Sequence, residues 1–276
     1  MSTLDGCRLA LWVEERDGRA AVNPVMRGLL AALRADGAIV RVRVVERGRT
    51  TPRSAAGADL VLLKSFGPLA CSLALATERH GQRFLNGGKA TVRATDKAAV
   101  VAALAAARLA VPASWLRVPV TGRRESRVPV DARSGSGWYT KPVNGIHGEG
   151  VARHPGPTPP ARSSSAAPEL VQAAVGTGVD LKVYVAGDVV FAARKAFSTG
   201  SFASGAVERI PADPDVIRMA RYAADALDLR CFGLDLRLDE TGAAIVDANP
   251  FPGFRGFPDA VPALRRLVHA SLGVAP

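Results

Sequence analysis

The 276 residues carry a formal net charge of +11, with 48% hydrophobic and 5% aromatic content, enough chain to bury a large core and build two or three small lobes. No apolar run reaches the roughly 18 residues of a membrane span, Met1 to Asp5 begin no signal peptide, and Cys7, Cys71 and Cys231 lack the spacing of a disulfide framework or zinc site. A cytoplasmic enzyme is expected, and its basic surface suits anionic small molecules such as nucleotides; no nucleic-acid partner is expected, because no basic run exceeds two residues.

Residues 8–13 (RLALWV) form a first strand. Asn23 then caps a helix with Pro24 at its first position, Met26, Leu29, Leu30 and Leu33 make its apolar stripe, and Gly37 stops it. Residues 39–45 and 60–64 are the next strands, the latter an uninterrupted apolar run suited to a parallel sheet covered on both faces. Pro68 opens a helix to about His80, and 83–86 make a fourth strand. Together these build a small open α/β lobe.

Thr95 is expected to cap an Ala-rich helix from Asp96 to about Leu109. Lys97 in its first turn faces the positive end of the helix dipole, which calls for a nearby anion; an ordinary solvated lysine is the alternative. Residues 117–137 mix short β-like pieces with turn residues and take no assignment. A strand at 138–142 enters Asn144 to Val151, where Gly145, Gly148 and Gly150 can turn backbone N–H groups toward a phosphate or simply make a flexible turn. The spacing is neither a Walker A loop nor a Rossmann fingerprint. Residues 152–168, rich in Pro, Ser and Ala, are expected to be a mobile excursion.

Order returns at 170–175 and in a hairpin spanning 180–195 that turns at Gly187-Asp188 and projects Lys182, Arg194 and Lys195 from one antiparallel sheet. Asp213-Pro214 starts a helix with Val216, Ile217, Ala220, Ala224 and Leu227 inward. Next, Phe232, Leu234, Leu236 and Leu238 alternate with Gly233, Asp235 and Arg237, and 243–248 make the return strand. With Glu240-Thr241-Gly242 as a three-residue loop, Asp239 faces Ala243, Arg237 faces Ile245 and Asp235 faces Asp247, with Asn249 on the same face. Two carboxylates roughly 5 Å apart repel by about 3 kcal/mol at an effective dielectric of 20. Unless both are merely solvated, a positive partner belongs between them, and oxygen-only ligands point to a hard cation such as Mg²⁺. Residues 250–257 (PFPGFRGF) are expected to form a rigid wall beside it, and a helix from Pro258 to Leu272 closes the chain.

Lys141-Pro142-x-x-Gly145-x-x-Gly148-x-Gly150-Val151, Asp180-Leu181-Lys182-x-Tyr184-Val185-x-Gly187, and the run from Asn86 through Asp96-Lys97 to Val111-Pro112 stand in one order along the chain. In that order they resemble the ATP-grasp family, and within it the RimK-type ligases, over essentially the whole length. The resemblance implies an α/β (α+β) ATP-grasp fold: an N-terminal lobe (1–86), a central lobe with a glycine-rich lid (87–175) and a C-terminal lobe with the metal site (176–276). ATP would lie between two antiparallel sheets. It also implies ATP- and Mg²⁺-dependent joining of a carboxylate to an amine through an acyl phosphate, with Mn²⁺ as a substitute metal and an amino acid among the small-molecule substrates.

By the same resemblance, Lys97 and Lys141 hold the phosphates, the loop with Gly145, His147, Gly148 and Gly150 binds the nucleotide as a lid, backbone groups of Ala173 and Val175 read adenine, and Gln172 and Asp180 complete the nucleotide site. Asp235, Asp247 and Asn249 hold metal. Lys182, Arg194 and Lys195 face the transferred phosphoryl group, and Asn249, Gly253, Phe254 and Arg255 meet the substrate. Three departures stand out. Those ligases carry Glu-x-Asn where this chain has Asp247-x-Asn249, and Arg where it has Lys182; both features also resemble the inositol tris/tetrakisphosphate kinases, so a small-molecule kinase is the alternative. Ala173 replaces the usual acid after the hinge glutamine. Whether the chain forms a homo-oligomer stays open.

Overall fold

The computed structural model describes residues 4–16, 19–45, 57–118, 137–145, 150–160, 167–176, 179–196, 207–239 and 242–274. Its first sheet is parallel. Strand β1 (Arg8–Val13) is followed by a short hairpin, β2 (Glu15–Arg16) and β3 (Arg19–Ala20). Then come β4 (Ile39–Val44), β5 (Leu60–Leu63) and β6 (Phe84–Leu85), in the order β4-β1-β5-β6. All four residues of β5 are buried, as an apolar run with both faces covered requires. Helix α1 (Pro24–Ala35) begins where Asn23 Oδ1 accepts from Met26 N at 2.9 Å, and it buries Val25, Met26, Leu29, Leu30 and Leu33. Helix α2 (Pro68–Glu78) covers the other face.

The expected cap at Thr95 is displaced by one residue. Thr95 ends a short helix α3 (Gly88–Thr95), which begins at Gly87 with no side-chain cap to announce it. Asp96 is the cap of α4 (Lys97–Ala106), its Oδ1 accepting from Ala99 N at 2.9 Å. A second, antiparallel sheet follows from β7 (Ser114–Arg117), β8 (Gly137–Pro142), β9 (Ala152–Pro155) and β10 (Glu169–Ala173), ordered β7-β10-β8-β9. Strand β9 corrects the expected excursion at its start. Its sequence, ARHP, has no apolar alternation, and its pairing with β8 carries Thr140 Oγ1 to 3.0 Å from His154 Nε2. The unassigned 117–137 stretch falls almost entirely outside the described residues.

The third sheet contains β11 (Val179–Ala186), β12 (Val189–Ala196), β13 (Val207–Ile210), β14 (Cys231–Asp239) and β15 (Gly242–Pro250), ordered β13-β12-β11-β14-β15 and antiparallel throughout. Helix α5 (Pro214–Leu227), capped by Asp213, joins α3 and α4 against one face through Leu181, Val183, Leu234, Leu236 and Ile245. The opposite face carries the site. A last helix, α6 (Ala260–Leu272), lies on α1, and one continuous core joins them to β1, β5, Phe251, Phe254 and Phe257.

Polar ties reinforce that junction. Asn86 donates to Cys231 O at 2.7 Å and accepts from Arg230 N and Cys231 N, both at 2.9 Å. Asp36, after α1, takes two hydrogen bonds from Arg265 at 2.6 Å and lies 3.0 Å from the buried His269 Nε2. The Arg265 bonds hold its carboxyl below the usual carboxylate range despite opposing desolvation. Among the described residues no helix is long and apolar enough to cross a membrane.

Candidate active site

Strand alternation sorts the third sheet into two faces, and the register lines up the chemistry on one of them. Across β12, β11 and β14 one row reads Lys195, Asp180, Arg237. The next reads Ala193, Lys182, Asp235 and continues on β15 to Asp247. A third reads Phe191, Tyr184, Gly233, Asn249.

Asp235 and Asp247 are direct partners, as expected, although the rest of the hairpin differs from expectation. Gly242 pairs with Asp239, which leaves two residues in the turn, and Leu236 pairs with Ile245, so Val246 is an extra residue bulging from β15. The shorter turn shifts the register by one and the bulge shifts it back, and the two cancel at the acids. The bulge also aims the Val246 carbonyl at the second sheet, where Lys141 Nζ donates to it at 3.1 Å and to Gln172 Oε1 at 2.7 Å.

Each acid has its own cation. Lys182 Nζ lies 2.5 Å from Asp235 Oδ1, Lys97 Nζ lies 3.4 Å from Asp247 Oδ1, and Arg237 Nε lies 2.7 Å from Asp180 Oδ1. Burial works against the Lys182 charge, but attraction and hydrogen bonding to Asp235 outweigh it and raise its pKa. Desolvation raises Asp180 against the pull of Arg237. Lys195, a buried residue, is lowered by desolvation and by repulsion from Lys182. The Lys141 ammonium lies deep in the cleft though the residue as a whole is half-buried; desolvation, opposed by Asp247 and helped by Lys97, lowers it from 10.5 to about 8.

Asp235, Asp247 and Asn249 present oxygen donors on one face, with Asn249 Nδ2 3.5 Å from Asp247 Oδ2. Among the described residues no three His, Cys, Asp or Glu side chains are grouped as a metal site. Two carboxylates and an amide oxygen suit a hard cation that completes its shell with phosphate oxygens and water.

Several expected residues stand elsewhere. Arg194 adjoins Lys195 on β12 and therefore points to the opposite face, beside Leu181 and Glu208, where it is exposed. Gln172 is 1% exposed and binds Lys141 and, through Nε2 at 3.4 Å, Ser114, so its side chain serves the lysine before any ligand. Ala173 N–H is taken by Ala113 O at 2.7 Å, which removes that donor from an adenine contact. Val175 follows β10, half-buried.

Phe254 is fully buried, its ring 5.4 Å from Tyr184 and 6.1 Å from Phe191, so it is core, not substrate wall. Phe251 and Phe254 both hold left-handed backbone, φ 42° and 49°, strain of about 1–3 kcal/mol each that their complete burial offsets. Gly253 packs on the α1 cap: its carbonyl accepts from Asn23 Nδ2 at 2.8 Å, and a Cβ there would meet that nitrogen at 2.6 Å. Arg255 is exposed at the rim, where its charge acts on Tyr184 and Lys195.

Gly145 closes a turn onto Pro142 O at 3.1 Å, and Gly150, at φ 70°, leaves room for Pro142 where a Cβ would stand 2.7 Å from its ring. His147 and Gly148 lie outside the described residues. Sequence reasoning missed Arg237, Tyr184 and the Val246 carbonyl. The first two share the Asp235 and Lys182 periodicity and could have been found by it, whereas the bulge has no sequence signal.

No family model and no curated protein matches the sequence. Solved structures match along nearly its full length. A RimK domain ATP-grasp protein from Sphaerobacter thermophilus is 15% identical, with 96% of this chain and 99% of that one covered and a TM-score of 0.68. The ATP-grasp ligase PsnB, complexed with minimal precursor, Mg and ADP, is 20% identical, with 99% of each chain covered and a TM-score of 0.63. D-alanine–D-alanine ligase from Bacillus anthracis, complexed with ATP, is 12% identical, with 97% of this chain and 98% of that one covered and a TM-score of 0.69. Likeness at such identities speaks for architecture, and with three sheets in this arrangement the chain has the ATP-grasp fold.

Proposed function

We propose that the protein is an ATP- and Mg²⁺-dependent ligase that joins a carboxylate to an amine. The observation that carries this is the convergence of Lys97, Lys141 and Lys182 on the opposed pair Asp235 and Asp247. Two of the compared proteins are named as ligases, one recorded with Mg and ADP and the other with ATP, which supports the nucleotide and the metal.

ATP supplies the phosphoryl group: a carboxylate oxygen takes it with release of ADP, and an amine then displaces phosphate from the carbonyl carbon and loses a proton. The chain's residues position and neutralise, which is most of what phosphoryl transfer asks of a protein. Lys97 and Lys141 bind phosphate oxygens from the α4 start and from β8. Asp235, Asp247 and Asn249 hold the cation. Lys182 and Lys195 face the transferred group, and Tyr184 and Arg255 stand on the substrate side of that row. The second sheet, reached through Lys141, keeps water from the activated carboxylate.

A kinase acting on a hydroxyl is the second reading, favoured by Lys182 and by Asp247-x-Asn249. Nucleotide turnover with a panel of amino acids separates the two. A ligase releases ADP and free phosphate in equal amounts, a kinase releases ADP and keeps the phosphate on its product, and ATP binding without either rejects both.

A further inference from the structure

We propose that Lys97 and Lys182 are built-in counter-ions that occupy the acidic pair until a polyphosphate draws them away, so that divalent cation and nucleotide enter the site together. The inference rests on the metal role given above to Asp235 and Asp247. Each acid is matched by one lysine from a different element: Lys182 comes from the neighbouring strand, in direct register with Asp235, and Lys97 from the first position of α4, reaching both oxygens of Asp247 at 3.4 and 3.5 Å. The four side chains retain only 14% to 31% exposure, so water screens them incompletely.

A divalent cation arriving alone meets carboxylates that are already neutralised, and two ammonium groups beside it. Like charges a few ångströms apart in a partly buried site repel one another strongly. A phosphate chain changes the balance, because each ammonium exchanges a carboxylate for a phosphate oxygen and frees the acid for metal. Lys141 differs from the other two: its hydrogen bonds go to the neutral oxygens of Gln172 and Val246, so it offers its charge to a phosphate without leaving an acid behind. Linkage is reciprocal, so the cation must tighten nucleotide binding by the same factor as the nucleotide tightens the cation's.

Binding of Mn²⁺, followed by the paramagnetic resonance of the free ion, tests this on the nucleotide-free protein and with a non-hydrolysable ATP analogue, after subtraction of the metal held by the analogue itself. Lys97→Met and Lys182→Met, each made singly and repeated as Gln in case one fails to fold, are expected to bind Mn²⁺ alone at least about fivefold more tightly than the parent. In these variants the analogue's effect on the metal should shrink by the same factor. Lys89→Met, an exposed position on α3, controls for loss of positive charge in general and is expected to match the parent. Lysine variants that bind Mn²⁺ alone no better than Lys89→Met overturn the proposal. The underlying metal role has its own arm: Asp247→Asn must weaken Mn²⁺ binding in the presence of the analogue, and unchanged binding there rejects the site itself.

Discussion

Lys141 donates to the carbonyl oxygen of Val246, the one residue by which the acidic hairpin leaves regular register, so the bulge beside Asp247 ties the second sheet to the third. Removing the lysine therefore removes this tie together with the phosphate contact proposed above. Lys141→Ala is expected to weaken binding of a non-hydrolysable ATP analogue by about 1.5–3 kcal/mol, the usual worth of a charged hydrogen bond. Calorimetric titration reads this directly, and an unchanged dissociation constant would count against the role.

The same lysine predicts a pH dependence. Its ammonium loses its proton as pH rises through about 8, so nucleotide affinity should be level below that value and fall above it, with the midpoint displaced upward once phosphate is bound. Lys141→Arg keeps its charge and should flatten the profile. For the nucleotide-free protein the sign reverses. The unfolded chain holds this proton to about 10.5, the folded chain only to about 8, so the destabilisation due to the buried charge is relieved as pH rises across that window. Chemical denaturation at pH 7.5 and 9.5, parent against Lys141→Met, checks it.

Asp247 faces Asp235 and a lysine at once, and an amide in its place keeps the shape while losing the charge. Asp247→Asn is expected to reduce phosphate release by about two to three orders of magnitude, in line with loss of an electrostatic stabiliser, with an unaltered circular dichroism spectrum. Turnover near the parent's rejects this residue as a metal ligand.

Arg194 and Lys195 are neighbours in sequence and opposites in space. Lys195→Ala is expected to lower turnover at least about tenfold, whereas Arg194→Ala stays within about twofold, as surface changes away from a site usually do. Equal losses in both would mean that the face assignment is wrong.

Phe254→Ala separates core from substrate wall. A fully buried phenylalanine cut to alanine costs about 3–5 kcal/mol, which should appear in the denaturation midpoint. A normal midpoint with a raised KM for one substrate would restore Phe254 to the substrate.

The elements of the first sheet were legible because their signals are local. Asn23-Pro24 caps, Leu60 to Leu63 is apolar on both faces, and Met26 to Leu33 keeps helical spacing. Asp235 opposite Asp247 was also legible, but by cancellation: a three-residue turn is one residue longer than the real one, and Val246 absorbs the difference without announcing itself. Arg194 is an error the alternation rule itself corrects. Gln172 and Phe254 are different, since their partners lie on strands and loops distant in the chain, and nothing in QAA or PGF names Lys141 or Tyr184. Helix α3 and strand β9 lacked a cap and an apolar period, and pairing and packing alone define them.

The burial of Phe251, Phe254 and Phe257 in one core with β1, α1 and α6 joins the first and third sheets, and the hydrogen bonds of Asn86 and Asp36 rivet the junction. Among the described residues, the sheet of β7 to β10 adds little more than Leu170 to the neighbouring core, and it is tied otherwise by backbone bonds such as Lys97 N to Val143 O and by the Lys141 reach. Two of the three sheets thus share one apolar seam, while the remaining one is fastened to them mainly by polar contacts, the Lys141 ammonium among them.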